Sequence, residues 1–521
     1  MKPVSLVVDV STSVNDMNAD GMLFVLLVDG KDAVKLDVVL GKLPPWLKTD
    51  FSSVARKRDF EIKQWASLSF DSPDGTRKTI LCIDPKAGVF ECLASVRKVL
   101  GGAAFDVKVK RLAVDLSHAG SKIEALADVF VSVAAACLYK FPKYKTESKD
   151  KTTAQGDKAK ADGEQSLSMA IVVPKAKVDV VELVVDRAFH TTASGTNLVR
   201  WLAKRAGNDL TCKSYVQFLK SFAKDQKWSF KHHDHDALTK MKAGAFLAVV
   251  NASEHKDYGI IELSYTPKAK SLKHLALVGK GIVFDTGGHS LKQSAYMLGM
   301  HGDMAGSAVA LGVLNVASLE EWPVKVTAYL AIADNMIGPQ GYKPNDVIVS
   351  MKGTTLEIID TDAEGRMVLA DTLHYASLAE PTLIMDFATL TGACVRAIGT
   401  TYSGVFTNRE ELHEALITAG KLSGERVWPF PMDKDFASCL ESTSADYKQC
   451  REKGGVDHIE AAQLLMHFAG EKSPWVHVDL SAIENSGGLA HVASDETGFG
   501  VRFATTFARD FLGIKKIGHS S

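Results

Sequence analysis

Two short stretches of this chain set carboxylates and lysines among glycines and apolar residues, and any fold must either expose those charges or neutralise them. The first runs from Lys280-Gly-Ile-Val-Phe-Asp285-Thr-Gly-Gly through Lys292 to Asp303. The second is Asp360-Thr-Asp362-Ala-Glu364-Gly-Arg366-Met-Val-Leu-Ala-Asp371. Buried like charges repel, and an ionised carboxylate is costly to desolvate. A pair of divalent cations resolves both problems, because carboxylate oxygens suit them and one carboxylate can bridge two ions. The stretches therefore point to a two-metal hydrolase.

The surrounding pattern says where such a centre would sit. After about residue 169, strand-like and helix-like segments alternate. His274–Phe284, residues 324–332, Leu383–Ala388 and Val476–Leu480 read as strands, and Met304–Leu319, Glu364–Leu378 and Ile459–Phe468 as helices. Repeated β-α-β order predicts a central, mostly parallel sheet flanked by helices. Sites in such folds lie at the carboxyl ends of strands, where Asp285, Asp303 and Asp362 fall. Asp362 and Glu364, two apart, would share one side of an extended segment.

A chain of 521 residues exceeds one compact core. The reading is an α/β protein of two domains: a smaller N-terminal α/β domain, 1–142, and a larger catalytic domain, 169–521. Met22–Leu27 and Thr79–Ile83 are predicted as strands of the first, and Ile123–Leu138 as a helix. Between the domains, 143–168 is polar and lysine-rich, with too little apolar surface to fold alone, and is predicted to be a flexible charged linker. With 61 basic against 62 acidic residues, nothing favours nucleic acid or an anionic membrane as a partner. The N-terminus reaches Asp9 too soon for a signal peptide. No apolar run approaches the roughly 20 residues of a spanning helix. The seven cysteines form no CxxC pair, as expected of reduced thiols in a cytoplasmic protein.

Together with Gly302-Asp303-Met-Ala-Gly and Ala388-Thr-Leu390-Thr-Gly-Ala393, the two stretches resemble the signatures of the leucyl aminopeptidase (cytosol aminopeptidase) family, over about residues 270 to 505. The resemblance implies that Lys280, Asp285, Asp303 and Glu364 hold one metal, and Asp285, Asp362 and Glu364 a second, with Zn, Mn, Co or Mg as candidate ions. It implies that Lys292 polarises the scissile carbonyl. Arg366, with the Leu390 backbone, would hold a bicarbonate. Met300, Thr389 and Gly392 would line the pocket for the first side chain, with Ser481 and Glu484 nearby. It further implies a homohexamer acting on peptides with a free N-terminus. Asp360 stands where the family has Asn, His301 where Lys is common, and Ala305 where Gly is common. None of these removes an expected ligand.

Other signals are weaker. His232-His-Asp-His235-Asp is expected to be a solvated loop rather than a metal site. His413-Glu414 fails the HExxH pattern at Ile417. Thr497-Gly-Phe-Gly500 reads as a tight turn before a helix. The rivals are a phosphoesterase, which would be expected to show histidine ligands, and a catalytically altered member serving as a scaffold or DNA-binding protein.

Overall fold

The computed structural model describes residues 6–13, 19–30, 32–101, 109–145, 167–268, 272–452 and 454–514. Contacts divide the chain into two compact units. One holds the described residues of 1–193 with Ala490–Ala493; the other holds those of 194–489 and 494–514.

The first unit carries six strands: β1 (Leu6–Ser11), β2 (Gly21–Leu27), β3 (Ser67–Asp71), β4 (Arg77–Ile83), β5 (Arg111–Asp115) and β6 (Leu167–Val172). They form one sheet in the order β1-β6-β5-β2-β4-β3, parallel except at the β3–β4 hairpin. The expected strands at Met22 and Thr79 and the helix Ile123–Cys137 are present. The domain boundary at 142 falls too early. β6 lies between β1 and β5 and pairs with both, so 169–193 belong to this unit rather than to the catalytic domain. Polarity rises before β6, but a parallel sheet reaches its next strand through a long crossover, so a polar stretch need not end a domain. Of the expected linker 143–168, residues 146–166 lie outside the described residues.

The second unit carries β7 (Ser229–His233), β8 (Gly259–Tyr265), β9 (His274–Asp285), β10 (Lys325–Asn335), β11 (Val347–Val349), β12 (Thr355–Glu357), β13 (Leu383–Ala388), β14 (Ser403–Thr407), β15 (Val427–Pro429), β16 (Tyr447–Lys448) and β17 (Trp475–Asp479). Its main sheet runs β15-β14-β17-β13-β9-β10-β8-β7, with β17, β13, β9 and β10 mutually parallel at the centre. β11, β12 and β16 form a small separate sheet. β9 is apolar along nearly its whole length because helices cover both faces of a parallel sheet, and Leu275 to Val278 are fully buried. The helix Ala305–Leu319 packs closely against this sheet. A Cβ on Gly306 would sit 2.1 Å from the Phe387 carbonyl oxygen, so only glycine permits the approach. The stretch Ser294–Leu319 is long and apolar enough to cross a membrane, but 83% of its apolar window is buried inside the fold, so its side chains serve the core. No disulfide joins the described cysteines.

Asp371 does not join the other carboxylates. From the middle of the helix Glu364–Ser377 it accepts hydrogen bonds from Phe246 N (2.9 Å) and Met351 N (2.7 Å), tying together three segments. Burial pushes its carboxyl from 3.8 up to about 7, against the pull of the two donors. The folded protein thus holds this proton more tightly than the unfolded chain. The contribution to stability is fully present below about pH 4 and is lost as pH rises through about 7. An Asp371→Asn variant cannot titrate there. In the chelated protein it is expected to flatten the loss of stability between these limits by up to about 1.4 kcal/mol per pH unit. Urea denaturation across the range checks this, and an unchanged slope would contradict it.

Candidate metal centre

The four central parallel strands bring the site together at their carboxyl ends. Asp285 ends β9, Asn335 ends β10, Thr389 follows β13, and Asp479 ends β17. Lys280 and Asp285 are five apart, which in a regular strand places them on opposite faces. Pairing of β9 with β10 shifts register between Ala333 and Asn335, so three steps on β9 span two on β10. That one extra residue returns Asp285 to the face of Lys280. Beyond it, Gly287 (φ +85°) and Gly288 (φ +63°) turn the chain in a conformation that suits glycine.

One oxygen from each of Asp285, Asp303 and Glu364 lies within 4.8 Å of the others, and all three side chains are buried. Lys280 Nζ stands 2.9 Å from Asp303 and 2.8 Å from Glu364. Lys292 Nζ stands 2.8 Å from Asp285 and 2.5 Å from Asp362. Lys280, Asp285, Lys292, Asp303, Asp362 and Glu364 therefore meet in one place. Asp362 and Glu364 do so by a different route from the extended segment expected. Asp362 lies in a turn, and Glu364 is the first residue of the helix Glu364–Ser377, so the change of direction brings both carboxylates inward.

The charges do not balance. Four carboxylates (Asp285, Asp303, Asp362, Glu364) face two ammonium groups, a net charge of 2 − 4 = −2 if all are ionised. Burial raises the Asp303, Asp362 and Glu364 carboxyls above their ordinary range, and the Asp285 charge raises all three further. Burial alone would depress the Lys280 ammonium; the carboxylates around it outweigh that and hold it up. Excess negative charge on oxygen donors that converge within one ion's reach suits hard divalent cations.

Residues invisible as a motif hold this arrangement. Asn335 Nδ2 donates to Asp285 Oδ1 (2.8 Å) and to the Thr361 carbonyl (3.0 Å). The buried Gln449 side chain accepts from Ile359 N (3.2 Å) and Asp360 N (3.1 Å), and donates to the carbonyls of Asp360 (2.7 Å) and Ala363 (3.0 Å). It clamps the turn that carries Asp362. Asp360 accepts from Asp362 N at 2.9 Å and so shapes the same turn.

Several expected roles meet a different environment. Arg366 is buried, and its Nη2 donates to both oxygens of Asp457 (3.0 Å each) while Nη1 reaches the Gln449 carbonyl at 3.3 Å. The Leu390 N–H, expected to assist an anion, donates instead to Asp479 at 3.1 Å. Thr389 donates to Asp303 Oδ1 at 2.6 Å and so borders the cluster, and Met300 lies in the turn just ahead of Asp303. Gly392 is exposed at the start of the helix Gly392–Ile398. Ser481 is buried, whereas Glu484 is exposed and pairs across a bridge with Glu496. The histidine tract is not a loop. His232 and His233 lie on β7, and His235 opens a short helix capped by Asp234. Its rings are engaged by protein groups: His232 by the Tyr258 carbonyl, His233 by Glu262 and Tyr375, and His235 by the Tyr258 hydroxyl.

Buried carboxylates and lysines gathered at the carboxyl edge of a parallel sheet form a group that could hold a metal ion. The chain belongs to the cytosol aminopeptidase family: residues 197–505 match the model of its catalytic domain. It is 30% identical over 515 residues to a probable cytosol aminopeptidase of Chloroherpeton thalassium, covering 96% of this chain and 98% of the relative. It is 33% identical over 506 residues to one of Rhodopseudomonas palustris, covering 94% and 96%. It is 35% identical over 322 residues to one of Phytoplasma australiense, covering 61% of this chain and 64% of that protein. Membership makes it an aminopeptidase-type, metal-dependent exopeptidase.

Proposed function

We propose that the protein removes the N-terminal residue, leucine-like by preference, from peptides, with two divalent cations held by Lys280, Asp285, Asp303, Asp362 and Glu364. The observation that carries this reading is the convergence of the Asp285, Asp303 and Glu364 oxygens within 4.8 Å, with one lysine on either side. Bound cations would polarise the scissile carbonyl and activate water for attack. The carboxylate-rich donor set suits Zn, Mn, Co or Mg.

The two lysines divide their work by exposure. The Lys280 side chain is 4% exposed and is anchored by the Thr389 carbonyl at 3.1 Å, so it serves the interior of the cluster. The Lys292 side chain, at 12%, is the one able to face a substrate carbonyl and stabilise the negative charge that develops there. Arg366 commits its terminal nitrogens to Asp457 and Gln449. We therefore assign it to holding the wall of the site rather than a bicarbonate. A bound cation would offer a position to the free amine of a peptide, which would confine cleavage to the N-terminus. The proposal extends to a homohexamer as the assembly and to peptides with a free N-terminus as its substrates.

Paired substrates test the reading. A leucyl peptide with a free amine is expected to be cleaved, and its N-acetylated counterpart to resist. Equal cleavage of both, or release of internal fragments, would overturn it.

A further inference from the structure

Asp479, at the carboxyl end of β17, is 1% exposed and belongs to neither motif. Its Oδ1 accepts from Leu390 N (3.1 Å) and Thr391 N (3.3 Å), and its Oδ2 accepts from Thr391 Oγ1 (2.7 Å). It lies beside Ala388 in the β13–β17 register, and Leu480 N donates to the Ala388 carbonyl at 2.8 Å. The chain leaving β13 is thus gripped on both sides of Thr389. Thr389 is the residue that reaches the cluster: its hydroxyl donates to Asp303 at 2.6 Å, and its carbonyl accepts from Lys280 at 3.1 Å.

A buried carboxylate is costly unless its hydrogen bonds hold it, and these bonds are directed at one turn. Burial pushes the Asp479 carboxyl up, and the nearby His477 with the three donors opposes that. His477 itself is paired with Asp386 at 2.6 Å, one alternation back along the same two strands. A one-residue slip of the Thr389–Thr391 turn would release Asp303 and Lys280 together.

We propose that Asp479 is a positioning residue of the metal centre, acting through the Thr389–Thr391 turn to orient Asp303 and Lys280. This rests on the metal-dependent reading above. The test is Mn(II) titration of the chelated full-length protein by electron paramagnetic resonance, with kcat and KM read alongside. Asp479→Asn turns one acceptor into a donor facing a donor. It is expected to weaken Mn(II) binding about 10- to 100-fold, the usual cost of losing a group that orients a ligand. kcat is expected to fall with little change in KM. Thr391→Val removes the hydroxyl donor to Asp479, and with it the acceptor for Cys394 N (3.1 Å) that caps the next helix. It is expected to act in the same direction, and it decides the matter if Asp479→Asn does not fold. In a Thr389→Val background, Asp479→Asn is expected to add little, because both act through one path. Unchanged Mn(II) affinity in the folded variants, or full additivity with Thr389→Val, would overturn the proposal. Weakened Mn(II) binding would sustain it even if the wild-type protein cleaved no peptide, a result that would sink only the aminopeptidase reading. A wild-type protein that bound no Mn(II) would sink both.

Discussion

Glu364→Ala is expected to lower kcat/KM on a leucyl substrate on the order of 1,000-fold, at the upper end of what one lost electrostatic group costs. The carboxylate is buried, pairs with Lys280 at 2.8 Å, and shares the convergence point with Asp285 and Asp303. Its removal takes away a donor that both proposed ions would use. Stability is expected to move the other way. In the metal-free protein, Glu364 is one of the carboxyls raised by burial and by the neighbouring Asp285 charge, so its loss relieves repulsion. Alanine also suits the first turn of a helix. The chelated variant should therefore unfold at a urea concentration no lower than the chelated wild type, while Mn(II) no longer raises that midpoint. A variant that loses activity because it unfolds would contradict this account of the residue.

Lys292→Met is expected to give the opposite signature. Its ammonium bridges Asp285 and Asp362 and is the more exposed of the two lysines. Methionine keeps much of the stem and removes the charge. Metal binding should persist or strengthen, since a competing cation has gone from beside two ligands. If Lys292 stabilises charge that develops only during reaction, kcat falls roughly 100- to 1,000-fold with KM nearly constant. Full kinetics with Mn(II) at saturation separate the cases. A raised KM with unchanged kcat would assign Lys292 to ground-state binding instead.

The cluster was legible in the sequence because its chemistry is extreme. Carboxylates and lysines set among Gly, Val, Ile and Leu have little to gain from packing alone, and the Thr-Asp-Ala-Glu-Gly-Arg string adds a family signature. The central strands were legible too, since burial on both faces leaves apolar runs such as Leu275–Val278. The parity of Lys280 and Asp285 was not, because a register shift depends on the partner strand. Nor were the residues that hold the ligands. Asn335, Gln449 and Asp479 are single polar residues whose meaning comes from segments between 26 and 90 positions away. The strand end at Asn335 was the one available hint, lying at the edge where sites form. The misplaced domain boundary has a related cause: β6 pairs with β1 and β5 across long separations, which local composition does not record. Asp371 misled for the converse reason. It adjoins the motif in sequence, but further along the helix its carboxylate bonds to Phe246 and Met351 instead.

The central claim is that this cluster works by holding divalent cations for cleavage at a free N-terminus. Its most direct test follows release of a chromophore from a leucyl amide by the chelated protein as Mn(II), Co(II) or Zn(II) is restored, with bound metal counted per chain. The account predicts negligible release without metal and recovery in step with occupancy up to two ions. Undiminished activity in the metal-free protein would contradict it. So would a folded, metal-loaded protein that cleaves no aminoacyl substrate, a result that would favour a binding or assembly role for this fold.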